Sequence, residues 1–525
     1  MSKYAHLAHI VLLRIKTIRI EGLILKNDHL IHIQFSPDRS LQEQIREHLL
    51  EKIHQGIFAD KALPSCRKLA QMLNVSRNTI VLVYERLVDE GFLVSHQRSG
   101  FFANPEIDAL QVPLVKLAAT VHQNAHNAPD WGNKFKCDFK GQRSRIKLEN
   151  WQDFPYPFIY GQPDESLFPA SHWRECGRLA QRTNVIKDWL ADHVDDDDPM
   201  LIKQLQTNVL SKRGIIAESD EILLTIGTQN SLFILAQLLT DAQSTVGIED
   251  PGYPDARHIF STFHAKVQGL RIDHEGIALT PELAGCDYVY ATPSHQVPTN
   301  VTMSLKRREE LLAYADKHDF VVIEDDYDSE ININQKPHPS LKSLDKNGRV
   351  IYVGSLSKSL SPGLRIGFMV ADRQLIKQAR QLRRLMFRHP PSNNQRTCAL
   401  FISLGYFDTY LGKIKRAYCE KWQCLRQALE THLPECISSD TLGGSAFWLR
   451  LPEGVSSKQV AKLAREQGVI AEDGDVLFMN PEKLTHHYMR LGFGSIKAEN
   501  IDAGIQILSQ IIRQQAKDNE TFWLS

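Results

Sequence analysis

Apolar residues recur at every fourth position from Leu41 through Ile45, Leu49 and Ile53 to Ile57. This spacing lines one face of an α-helix and predicts an amphipathic helix ending at Gly56. Pro64 blocks helix upstream of it, and Ser65 stands where it can cap a second helix with Leu69, Ala70 and Leu73 facing inward. Beyond the turn at Asn74 and Val75, Ser76 is the candidate cap of a third helix that buries Ile80, Val83, Tyr84, Leu87 and Val88. In "GFLVSHQRSGFFA" two short β-prone runs flank "HQRSG", the pattern of a hairpin with Arg98 at its tip. Periodicity alone fits a generic three-helix bundle as well as a DNA-reading unit.

The pattern changes further along. Residues 105–150 mix proline, asparagine, histidine and glycine without a sustained period. A stretch of that length without elements is unusual inside a compact domain, so it is read as a linker between separately folded units. After it, "DEILLTIG", "STVGIED", "CDYVYATP", "FVVIEDD" and "RVIYVGS" are β-branched runs ending in glycine, aspartate, proline or serine, with helical segments between them. Such alternation predicts an α/β domain with a mainly parallel sheet and helices on both faces. In such sheets the chemistry collects at the carboxyl ends of the strands.

The third helix carries Arg77, Asn78 and Thr79 in its first turn and Glu85, Asp89 and Glu90 in its last. The helix dipole favours the opposite order. The arrangement suits a first turn that faces phosphates and base edges. The string "LPSCRKLAQMLNVSRNTIVLVYERLVDEGFL…RSG" closely resembles the winged helix-turn-helix of the GntR superfamily. The resemblance implies a DNA-binding domain at residues 31–104 that contacts double-stranded DNA through Ser65, Arg67, Ser76, Arg77, Thr79 and Arg98. Cys66 stands where that family usually has a small hydroxyl residue, and Tyr84 is read as core.

Bulk properties narrow the partners. Over 525 residues, 62 lysines and arginines balance 62 aspartates and glutamates, so net charge points to neither nucleic acid nor membrane. Eight cysteines without a CxxC pair argue against a disulfide framework or a zinc site and suit a reducing cytoplasm. The apolar stretch at residues 9–25 is interrupted by Arg14, Lys16, Arg19 and Glu21, so no membrane span is expected. Residues 1–30 are an extension of unknown role.

The candidate chemistry centres on Lys358, which follows the strand "RVIYVGS". A lone loop lysine is usually a solvated charge, but three features accompany this one. Asp325, Asp326 and Tyr327 end the strand "VVIEDDYDSE"; a buried aspartate can keep a pyridine nitrogen protonated, and a phenol can hold a ring oxygen. A metal site is the competing reading of these acids, but no histidine adjoins them and calcium-loop spacing is missing. In "LLTIGTQNSLFILAQLL" a strand, a glycine and a helix place Thr228 and Gln229 at a helix amino terminus, a natural phosphate seat. Ser355, Ser357 and Arg365 add donors to the same anion. Tyr253 follows a strand and a tight turn in "IEDPGYPDAR", where it can stack on a flat ring or pack in the core.

Taken in order, "FIYGQPDESLFPASHWR", "GTQNSL", "EDPGYP", "TPSHQVPT", "IEDDYDSE" and "GSLSKSLSPGLRIGF" resemble the MocR-type regulators, a GabR- and PdxR-like group. These join a GntR-type reader to a fold-type I aminotransferase-like domain. The resemblance implies a seven-stranded, mainly parallel sheet with a smaller C-terminal α/β subdomain over residues 151–525, and pyridoxal 5'-phosphate as cofactor. Lys358 would form the internal imine, Asp325 would pair with the pyridine nitrogen and Tyr327 would contact the 3-oxygen. Arg490, in "YMRLGFG", would grip an amino acid's carboxylate. A homodimer is implied, with each reader crossing to the other protomer's large domain.

Several positions depart from that pattern. Asp196, Leu201 and Gln206 stand where a tyrosine, a glycine and an arginine are expected, which puts a cross-dimer phosphate clamp in doubt. Asn300 replaces the glycine of a "PTG" turn. Val297 replaces an asparagine on the 3-oxygen, leaving His295 or Gln296 as substitutes. Asp255 stands where a regulator of the GABA-binding kind has an arginine. Two functions remain: a transcription regulator sensing pyridoxal phosphate or an amino compound, and a working aminotransferase with an appended DNA-binding domain.

Overall fold

The computed structural model describes residues 33, 35–36, 38–58, 61–96, 99–105, 129–136, 139, 142–143, 148–328, 338–356, 358–438, 444–480 and 487–523. The extension 1–30, the wing-tip Arg98, Ser357 and most of the expected linker lie outside them. The chain divides into two compact units, residues 1–136 and 137–525.

In the first unit, α1 (Leu41–His54), α2 (Cys66–Leu73) and α3 (Arg77–Asp89) precede a hairpin of β1 (Leu93–His96) and β2 (Gly100–Ala103). Each helix starts on a serine whose hydroxyl accepts a backbone N–H: Ser40 from Glu43, Ser65 from Lys68 and Ser76 from Thr79. α1 ends two residues before Gly56, because Gln55 caps it and Gly56, at φ +69°, turns the chain away. Ile45, Leu49, Leu69, Ile80, Tyr84 and Leu87 are fully buried between the helices. The Tyr84 hydroxyl donates to the Pro64 carbonyl at 2.8 Å, which ties α3 to the entry of α2.

The second unit is built on a sheet of eight strands, one more than the sequence led us to expect. These are β4 (Ile222–Thr225), β5 (Thr245–Asp250), β6 (Lys266–Asp273), β7 (Gly276–Ile277), β8 (Tyr288–Ala291), β9 (Val321–Asp326), β10 (Val350–Ser355) and β11 (Gly367–Val370). Their order is β4-β11-β10-β9-β8-β5-β6-β7. All run parallel except β11, antiparallel to both its neighbours, and β7, the short return arm of a hairpin with β6. Alternate residues feed different cores: Leu223 and Met369 pack on one face, Leu224 and Phe368 on the other. The first face is covered by α4 (Thr228–Leu239), α5 (Pro254–Thr262) and, further on, α7 (Arg373–Phe387). α6 (Leu305–His318) packs through Leu311 and Ala315 against Val289 and Val322.

A smaller antiparallel sheet joins β12 (Ala446–Arg450), β15 (Tyr488–Gly492) and β14 (Glu472–Asp473). It packs on α8 (Tyr406–His432) and α9 (Ala498–Trp523). β3 (Tyr156–Pro157) pairs with β13 (Val469–Ile470), and the Gly492 N–H donates to the Phe158 carbonyl at 3.1 Å. A Cβ on Gly492 would lie 2.6 Å from the backbone of Ile159 and Tyr160, so only glycine lets the strands meet. This contact brings the segment after β3 and the middle of β15 to the carboxyl ends of the large sheet.

Candidate functional site

At those ends lies a cavity of about 260 Å³ lined by Lys358, Asp325, Tyr327, Tyr253, Thr228, Gln229, Ser355 and Arg365, all expected from the sequence. Tyr160, Gly161, Tyr290, Asp255 and Val297 line it as well.

Lys358 Nζ sits 4.3 Å from the centroid of the Tyr160 ring. Gly161 has φ +78°, and a Cβ there would stand 2.3 Å from that Nζ, so the glycine makes the space the amine occupies. The same ring carries Arg490, with Cζ 3.4 Å from the centroid. Arg490 projects from the central strand of the small sheet and is fully buried. Its three guanidinium nitrogens have no hydrogen-bond partner among the described residues. A buried cation normally has an anion beside it; here Glu472 stands opposite Arg490 across the sheet and makes no hydrogen bond to it among the described residues. Glu472 anchors the backbone of Tyr160 by accepting its N–H at 3.3 Å.

Asp325, in β9, is almost wholly buried. Its Oδ2 accepts from the Tyr290 hydroxyl at 2.7 Å, while Oδ1 has no partner among the described residues. Burial pushes its carboxyl up to about 7 against the lowering effect of the Tyr290 bond, and the neighbouring acids Asp326, Asp328 and Glu249 add to the rise. A cationic N–H beside Oδ1 would reverse that cost. Asp326 has the opposite fate: burial raises it, but Arg213, at 2.7 Å, together with hydrogen bonds from Ser294 and Tyr352, holds it low.

Gly227 (φ +115°) starts α4, and a Cβ on it would crowd the Arg365 guanidinium at 3.2 Å. Arg365 itself takes the left-handed conformation, φ +54°. The Thr228 Oγ1 is buried without a partner among the described residues. A helix amino terminus, an unsatisfied hydroxyl and a guanidinium therefore converge, as an anion seat requires. Gln229 Nε2 donates to Asp255 Oδ2 at 2.6 Å.

The Tyr327 hydroxyl donates to the His295 carbonyl at 3.0 Å, so contact with a ring oxygen requires it to give up or share that bond. Of the three residues considered around the missing asparagine, Val297 reaches the cavity. His295 instead pairs with Asp328 at 2.8 Å, and Gln296 donates to the Pro251 carbonyl at 2.9 Å. Asn300 adopts φ +59°, doing with an asparagine what a glycine does in that turn. Of the three replaced clamp residues, Asp196 is exposed and the other two have structural roles. Leu201 is core and Gln206 donates to the Ala217 carbonyl at 2.8 Å. Asp197 takes both Arg380 and Arg383, and Asp198 caps the helix Pro199–Gln204 while pairing with Arg396.

In the reading head, Ser65, Arg67, Ser76 and Arg77 are exposed and Thr79 is half-buried. Ser76 Oγ also shares a 2.8 Å hydrogen bond with Thr79 Oγ1. Glu90, at the acidic end of α3, is held by Arg46 from α1 and by Arg86, so the adverse charge order is locally neutralised.

Tyr160 and Tyr290 were not foreseen. Tyr160 stood in a quoted motif, and the aromatic before a glycine was its only signal. Tyr290 meets Asp325 only because β8 and β9 are neighbours, with Tyr290 opposite Ile323.

Comparison with known proteins fits this geometry. Residues 41–103 match the family of bacterial regulatory proteins of the gntR type, and residues 198–508 match aminotransferase class I and II. The chain is 36% identical over 475 residues to the HTH-type transcriptional regulator TauR of Rhodobacter capsulatus, covering 90% of this chain and 97% of that one. It is 30% identical to the probable rhizopine catabolism regulatory protein MocR of Rhizobium meliloti, covering 82% and 87%. Among solved structures, it is similar to the Pyrococcus horikoshii kynurenine aminotransferase in complex with PMP (TM-score 0.67, 26% identity, 74% of this chain and 98% of that one). It is also similar to the α-aminoadipate aminotransferase LysN of Thermus thermophilus (TM-score 0.65, 26% identity, 74% and 100%). A DNA-reading head and an aminotransferase scaffold in one chain define a transcription regulator that depends on pyridoxal phosphate. The chain belongs to the MocR-type regulators.

Proposed function

We propose that Lys358 is the amine that holds the cofactor's aldehyde, and that the head's grip on DNA depends on whether Lys358 or an effector amine holds it. When bound, pyridoxal phosphate supplies an electrophilic aldehyde that amines can exchange. Asp325 would keep the pyridine nitrogen protonated, Tyr253 would stack on the ring and Tyr327 would turn to the 3-oxygen. Thr228, Gln229, Ser355, Ser357 and Arg365 would seat the phosphate, and Arg490 would take an effector's carboxylate. The observation that carries this reading is the set of buried groups without a hydrogen-bond partner among the described residues: Asp325 Oδ1, Thr228 Oγ1 and the Arg490 guanidinium.

In the head, Ser65, Arg67, Ser76, Arg77, Thr79 and Arg98 would face DNA. The protein would act in the cytoplasm as a homodimer, each head crossing to the other protomer's large domain and the pair reading two half-sites. Coupling would be a shift between dimer conformations favoured by different ligand states. Among the described residues no helix is long and apolar enough to cross a membrane.

The test is affinity for the protein's own promoter DNA, with and without pyridoxal phosphate and with added amino acids. A change in the wild type that is lost in Lys358→Ala supports the reading; indifference to cofactor contradicts it. An assay with amino donors and keto acids separates a sensor from a working aminotransferase. Turnover on the order of 10 per second would favour the enzyme.

A further inference from the structure

We propose that Asp255 selects the effector, and that the amine sensed in this cavity belongs to a diamino acid whose second ammonium docks on the Asp255 carboxylate. The inference rests on the reading of the cavity as a cofactor and effector site. Asp255 lies in the first turn of α5, two residues after Tyr253, and lines the same cavity as Lys358. Its Oδ2 accepts from Gln229 Nε2 at 2.6 Å and from the Tyr253 hydroxyl at 3.0 Å. Both donors are neutral. Oδ1 takes no hydrogen bond, and no cation pairs with the carboxylate, among the described residues. Arg257, two residues on, feels the charges of Asp250 and Asp255 but spends its hydrogen bonds on the carbonyls of Val476 at 2.5 Å and Leu477 at 3.3 Å.

A carboxylate facing a partly desolvated cavity attracts a cation and repels an anion. Arg490 is the complementary feature, a buried cation stacked on Tyr160 whose guanidinium has no hydrogen-bond partner among the described residues, although Glu472 stands opposite it across the sheet. With Asp325 and Arg365 assigned to the cofactor, three groups are left for an effector: Asp255 and Lys358 on the cavity wall, and Arg490, which stacks on the wall residue Tyr160. A ligand matching all three has a carboxylate for Arg490, an amine that exchanges with Lys358 and a second ammonium for Asp255. An amino acid with an acidic tail would bring a second anion to Asp255 and be rejected.

The alternative role for Asp255 is to hold Gln229 and Tyr253 in place. Asp255→Asn separates the two, since the amide oxygen still accepts from both donors but the charge is gone. The cofactor-loaded, full-length protein would be titrated with ornithine, norvaline and glutamate while the cofactor's absorbance is followed. Ornithine is expected to bind about tenfold tighter than norvaline, the value of one charge-assisted hydrogen bond, with glutamate weakest. In Asp255→Asn the ratio of ornithine to norvaline affinity should collapse toward one. A wild type that prefers glutamate or ignores tail charge, or an asparagine variant that keeps the ratio, overturns the role of Asp255 alone. A protein whose cofactor absorbance no amine alters overturns the effector-site reading as well.

Discussion

The Tyr290 hydroxyl donates to Asp325 at 2.7 Å from the adjacent strand, and both residues are buried at the floor of the cavity. One carboxylate oxygen is thereby fixed and the other has no partner among the described residues. In Tyr290→Phe the shape is kept and the donor removed, which raises the Asp325 carboxyl further and weakens its hold on a pyridine nitrogen. Cofactor affinity should fall about tenfold, the usual cost of losing a hydrogen bond to a charged group. The pH at which the bound cofactor's absorbance changes should move as well, which a purely structural role for Tyr290 would not produce.

A second expectation concerns pH and stability. The unfolded chain releases the Asp325 proton near its ordinary value of 3.8, whereas the folded chain keeps it up to about 7. Between those values the folded state holds the extra proton, so stability falls as pH rises, by up to ~4 kcal/mol for such a difference. Burial pushes Glu249 and Glu324 up to about 7 as well, and they contribute with the same sign. Melting temperatures of the cofactor-free protein between pH 5 and 8 should therefore fall more steeply for wild type than for Asp325→Asn. Parallel slopes would show that Asp325 ionises in the folded chain as it does in the unfolded one.

Gly161→Ala probes the space around Lys358. The new methyl would collide with Nζ, and φ +78° adds about 1–2 kcal/mol for a residue with a Cβ. A modest drop in melting temperature with a loss of cofactor binding of at least about tenfold is expected, measured by absorbance titration. Unchanged cofactor binding would mean that the amine works from another position.

The parts of the site that the sequence revealed are those set by short-range chemistry. Ser65 and Ser76 announce helix starts, Gly227 announces the turn before α4, and Lys358 and Asp325 sit at the ends of recognisable strands. What stayed hidden depends on long-range pairing. Tyr160 reaches Lys358 and Arg490 through the two-residue pairing of β3 with β13, too short to leave a hydrophobic pattern. β7, equally short, escaped for the same reason. Asp196 reads as part of a broken clamp, and nothing in the sequence shows that its neighbours Asp197 and Asp198 hold Arg380, Arg383 and Arg396, residues nearly 200 positions away.

In the head, Arg77 is exposed in the first turn of α3 and Ser76 caps that helix. Arg77→Ala should leave the melting temperature unchanged, weaken DNA binding and reduce the slope of log affinity against log salt by about one. Ser76→Ala should cost about 1 kcal/mol of stability through the lost cap. Salt-dependent DNA titrations of both variants, alongside melting curves, check the assignment. An unaltered slope for Arg77→Ala would remove that residue from the phosphate contacts.

The most direct measurement is borohydride reduction of the cofactor-loaded protein followed by peptide mass mapping. One reduced pyridoxyl-phosphate adduct, on the peptide bearing Lys358 and gone in Lys358→Ala, is the expected result. An adduct on another lysine, or none on a protein that still answers to the cofactor at its promoter, would contradict the account.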